Sequence, residues 1–134
     1  MSNLINRSNS LSRISICAFY LVTVSFLLLA NLDTLKGVTY EGSDFAANSV
    51  LIQSAKNFSL WTGNYSRVGF YHPGPAILYV LTAGEVIFHD WFHLVEHPFA
   101  GQIIAVSFYN ALWITLAFIG FHRLVVVNLS RTRL

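Results

Sequence analysis

Residues 14 to 32 form a run of 19 positions without a charge, and residues 98 to 121 form another of 24. At about 1.5 Å of helix rise per residue, each is long enough to cross the roughly 30 Å hydrocarbon core of a bilayer. In a chain of 134 residues, two such runs leave no room for an independent soluble domain. Composition agrees: 54% of the residues are hydrophobic and 10% are charged, against roughly a quarter charged in soluble domains. This excludes an ordinary water-soluble globule, and the leucine and phenylalanine content excludes disorder.

The stretch between the runs decides between two and three crossings. Residues 68 to 84 are uncharged, but they open with Val-Gly-Phe-Tyr-His-Pro-Gly-Pro, which regular helix cannot accommodate. Helix begins only near Pro75 or Ala76, and from there to Phe88 it reaches roughly 20 Å, short of a crossing. Thr82, Glu85, His89 and His93 fall at i, i+3, i+7 and i+11, the pattern of a helix lying on a membrane surface with one polar face.

Charge sets the orientation. Arg7 and Arg13 precede the first run, and Arg123, Arg131 and Arg133 follow the second, with no acid at either end. Between the runs, Lys36, Lys56 and Arg67 face Asp33, Glu41, Asp44, Glu85, Asp90 and Glu96. Because cytoplasmic segments are the ones enriched in Lys and Arg, both ends belong in the cytoplasm, which two crossings satisfy and three do not. The expected fold is therefore an all-α membrane protein. It has a cytoplasmic tail (1–13), a transmembrane helix (14–32), an extracytoplasmic loop (33–97) with short juxtamembrane helices near 44–56 and 75–92, a second transmembrane helix (98–121) and a cytoplasmic tail (122–134). Three transmembrane helices are the alternative. The first run exceeds a signal-peptide core and lacks a small residue three positions before a cleavage point, so it reads as a signal anchor.

Several function classes fall away. The scattered cations make no groove for nucleic acid. The lone Cys17 supports neither a disulfide framework nor a thiolate metal site. His89, His93 and His97 are spaced to bind zinc along one side of a helix, and residues 93 to 97 fit the H-x-x-E-H peptidase pattern. That pattern needs a further ligand, and no carboxylate follows Glu96. The preferred reading of this segment is an amphipathic helix end with Phe88, Trp91 and Phe92 as interfacial anchors. Sequons at Asn57 and Asn64 are read as chance matches.

Candidate chemistry lies in the loop. Ser43 and Asp44 mark a helix start, with Asp44 either complementing the helix dipole or acting as a base at a membrane-facing cleft. Glu41, three residues earlier, is placed to share that site or a divalent metal with it. Arg67 offers a guanidinium for bidentate phosphate binding, and His72 precedes Pro-Gly-Pro at the start of a helix, where a phosphate gains a further partial positive charge. The alternative is a helix-start turn with Arg67 reaching lipid headgroups.

Asp44 soon after the first span, followed by the string Asn-Tyr-Ser-Arg-x-Gly-Phe-x-His-Pro-Gly-Pro-Ala-x-x-Tyr from Asn64 to Tyr79 and a later span containing Asn110, resembles the amino-terminal part of bacterial GT-C type membrane glycosyltransferases. The layout is similar to that of the polyprenyl-phosphate-sugar-dependent enzymes over roughly residues 11 to 127. The resemblance implies a fold of many membrane helices in the bacterial inner membrane. It implies Asp44 as base on the acceptor hydroxyl, Arg67 and His72 at the phosphate of a lipid-linked sugar donor, with Glu41 nearby, and no resident cofactor, a divalent metal being left open. Members of that family have further spans and usually another acidic loop, so the resemblance implies an amino-terminal fragment, inactive alone, with a second chain as a partner supplying the remaining helices. The competing expectation is a small non-enzymatic membrane protein that binds a partner or lipids through its amphipathic loop, with Gln102, Ser107, Asn110 and Thr115 serving helix contacts.

Overall fold

A computed structural model describes residues 13–37, 42, 44–65, 68–71 and 74–131, the last six of these as backbone only. The described residues are mostly helical and contain no strand; an isolated antiparallel bridge joins Tyr65 and Tyr71. The elements are α1 (Arg13–Ala30), α2 (Leu32–Lys36), α3 (Asp44–Lys56), α4 (Ala76–Gly84), a π-helical segment (Glu85–Trp91) and α5 (Pro98–Arg131). Two helices are long and apolar enough to span a membrane, α1 over Arg13–Ala30 and α5 over Pro98–Val125.

The chain divides into two compact units, residues 1–27 with 110–134, and residues 28–109. In the first, Phe19 stacks on Phe118 with ring centroids 4.4 Å apart, and Val24, Ala111 and Thr115 are buried. Elsewhere α1 leaves Leu21, Val22, Phe26 and Leu29 exposed. These large apolar side chains are left uncovered by the described residues.

The second unit is built on α3 and α4. Ala55, Leu60 and Leu78 are buried together, with Leu51, Tyr79 and Leu81 packed around them, and Ile52 is fully enclosed. Tyr79 carries its hydroxyl to the carbonyl of Leu60 at 3.0 Å, pinning the segment after α3 onto α4. Phe45 at the start of α3 meets the edge of Phe99 in α5 at 5.3 Å.

Glycines fix how closely the helical run after Ala76 approaches α5. A Cβ on Gly84 would lie 2.5 Å from that of Ala105 and closer still to the carbonyl oxygen of Gly101, and a Cβ on Gly101 would lie 2.7 Å from the Gly84 carbonyl oxygen. Gly101 and Ala105 are one turn apart, the spacing of small residues that lets two helix backbones approach closely.

This contact changes the role of the juxtamembrane segment. Thr82 and Glu85, expected on an exposed polar face, are buried. The helix widens to π geometry at Glu85 and ends at Trp91, so His93 lies beyond it with φ at 48°. The face expected from Thr82 through His93 therefore does not exist. The ladder of His89, His93 and His97 is lost for the same reason, since it needs helix through residue 97. Phe88, expected as an interfacial anchor, is half-buried and stacks on Phe108 with ring centroids 6.4 Å apart.

Candidate functional site

Asp44 sits in the first turn of α3, exposed to solvent, and the amide of Phe45 donates to the carbonyl of Gly42 at 3.2 Å. Glu41, Ser43, Arg67 and His72 lie outside the described residues. Tyr65 and Tyr71 pair through their backbones and bring their rings to 5.0 Å edge to face. Gly69 and Gly74 take φ values of 90° and 78°, conformations that side-chain-bearing residues rarely adopt.

A pocket of about 180 Å³ opens beside α3, lined by Asn48, Gly63, Asn64, Gly74, Ile77, Leu78 and Leu81. Asn48 stands one turn after Asp44, on the same helix face. Asn64 donates its amide to the Asn48 side-chain oxygen at 2.6 Å, while its own side-chain oxygen is buried without a hydrogen-bond partner. The pocket thus lies between Asn48 of α3 and the segments of Asn64 and Gly74, and Asp44 does not line it.

A second cluster was not read from the sequence. The Lys56 ammonium, at the end of α3, lies 2.7 Å from Glu85 Oε1 and 2.7 Å from Asp90 Oδ2. Gln102 of α5 donates to Glu85 Oε2 at 2.9 Å, and His89 Nδ1 lies 2.7 Å from Asp90 Oδ1. Glu85 is 3% exposed and Gln102 2%. Burial by itself would lower the Lys56 pKa, but the hydrogen bonds and charges of Asp90 and Glu85 outweigh it and hold the ammonium above its ordinary 10.5. The hydrogen bond from Lys56, and then that from His89, holds the Asp90 carboxyl below its ordinary 3.8. These bonds satisfy what would otherwise be costly buried charge.

One signal pointed to this cluster. Glu85 and Gln102 are isolated polar residues in apolar surroundings, and such groups need partners when buried. Of the four polar residues in the second apolar run, Gln102, Ser107 and Thr115 are buried and Asn110 is exposed. Among the described residues, no group of three His, Cys, Asp or Glu side chains is placed to hold a metal ion. Comparison with protein-family models, curated proteins and solved structures gives no match to this chain.

Proposed function

We propose that this chain forms the acceptor- and donor-facing loop of a GT-C type membrane glycosyltransferase, which moves a sugar from a polyprenyl phosphate to an extracytoplasmic acceptor. In this reading α1 and α5 cross the bacterial inner membrane, residues 33–97 lie outside, and both ends are cytoplasmic.

The observation that supports it is the pocket shared by Asn48, one turn beyond Asp44, and by Asn64 and Gly74, on either side of Arg67 and His72. Asp44 lies on the Asn48 face of α3, and Asn64 and Gly74 flank in sequence the segment that carries Arg67 and His72; this is what supports the reading. In the transfer, the Asp44 carboxylate takes the proton of the acceptor hydroxyl as its oxygen bonds to the anomeric carbon. The bond from that carbon to the donor phosphate oxygen breaks, and the phosphate leaves with the electron pair. The role proposed for Arg67 and His72 is to steady the charge that develops there.

The test is sugar transfer in membranes of the source cells with the native copy replaced by Asp44→Asn. Loss of transfer with unchanged membrane insertion is expected; retained transfer would overturn the role of Asp44.

A further inference from the structure

The helical run after Ala76 ends in a turn that holds large apolar side chains out of the fold. Trp91 is 70% exposed, Phe92 65% and Leu94 68%. The turn is built rather than loose. The Phe92 amide donates to the Ile87 carbonyl at 3.1 Å and the Leu94 amide to the Phe88 carbonyl at 2.8 Å. His93, between them, takes the left-handed conformation that glycine usually supplies at a helix end.

What faces this tip follows from its tether. Val95, Glu96 and His97 alone separate Leu94 from Pro98, the first residue of α5 and of its apolar stretch. An extended chain advances at most about 3.6 Å per residue, which keeps Leu94 within roughly 15 Å of the start of α5. Trp91 and Phe92 are the residue types that favour the layer between hydrocarbon and water. The ion pair of Lys56 with Asp90 ties the end of α3 to the same place, and the residues that follow α3 include Phe58 and Trp61, 79% and 84% exposed.

We propose that Trp91, Phe92 and Leu94 form a wedge that inserts into the interfacial layer of the leaflet at which α5 begins, seating the loop on the lipid surface. This rests on α5 crossing the membrane. Residues 85–97 contain Glu85, Asp90 and Glu96 but no Lys or Arg, so the wedge is held by apolar insertion and not by attraction to anionic headgroups. Its partner is a zwitterionic lipid surface.

Two single-tryptophan proteins in phosphatidylcholine vesicles with brominated acyl chains test this. One keeps Trp91 (Trp61→Phe with Trp113→Phe); the other keeps Trp113 on α5 (Trp61→Phe with Trp91→Phe) and reports the span. Trp91 should lose most of its emission, more with bromine near the headgroup than at the chain end, and equally when an anionic phospholipid is added. Phe92→Ser with Leu94→Ser should restore much of that emission. Quenching of Trp113 without quenching of Trp91 would overturn the wedge and leave the span standing, as would a partner protein covering the tip. No quenching of either would overturn the span, and the wedge with it.

Discussion

Glu85 and Asp90, five residues apart, both meet the ammonium of Lys56 at 2.7 Å. On an α-helix, residues five apart point about 140° away from each other. The π segment closes its hydrogen bonds five residues apart and brings them into line. The wider turn is what allows one lysine to serve both carboxylates while Gln102 takes the remaining oxygen of Glu85.

Removing the lysine therefore strands a buried carboxylate. Lys56→Met should cost about 2–3 kcal/mol, below the roughly 3–5 kcal/mol of a fully buried broken pair because Lys56 keeps some solvent. Adding Glu85→Gln should recover most of that loss. Denaturant unfolding in detergent checks both, and an additive double variant would mean the two groups do not interact.

The contributions of Asp90 and Lys56 to stability should depend on pH at opposite extremes. Asp90 has a folded pKa below 3.8, so its contribution is complete above that value and is lost as pH falls through the folded pKa. Lys56 has a folded pKa above 10.5, so its contribution is complete below that value and is lost as pH rises through the folded pKa. The difference in unfolding free energy between the native protein and Asp90→Asn should shrink as pH falls below about pH 4. A difference that grows as pH falls would contradict this assignment.

Glycines in this chain should divide sharply. Gly84→Ala places a methyl against the Gly101 backbone and Ala105, where neither side can yield cheaply, and should cost about 1–3 kcal/mol. Gly120→Ala has open space around it within α5 and should gain up to about 1 kcal/mol of helix stability. Thermal unfolding of the two variants separates them, and equal melting temperatures would contradict the close crossing.

Orientation is checked by cysteine labelling. In a Cys17→Ser background, Ser59→Cys should react with a membrane-impermeant maleimide applied to intact cells, and Ser130→Cys only after lysis. Labelling of both from outside would reject the two-pass topology.

The two apolar helices were legible because their signal is absence of charge over a fixed length, which needs no partner to interpret. The start of α4 was legible too, since Pro-Gly-Pro forbids helix before Pro75. The face running from Thr82 to His93 was misread because an α-helical period was carried through a segment that is π-helical, and because Gly84 and Gly101 allow a contact that turns Thr82 and Glu85 inward. Lys56 gave little warning: a lysine in the last turn of a helix usually answers the helix dipole, and its two partners lie 29 and 34 positions further on. Of the four residues expected at the candidate site, Asp44 has a described position, and Glu41, Arg67 and His72 fall outside the described residues.

Lipid-phosphate binding bears most directly on the functional reading. The chain, reconstituted in nanodiscs, should retain a polyprenyl monophosphate in preference to the neutral polyprenol of the same length by native mass spectrometry. Arg67→Ala should abolish the preference and Asp44→Asn should leave it intact. Equal retention of phosphate and alcohol by the unsubstituted chain would contradict a donor-phosphate site in this loop.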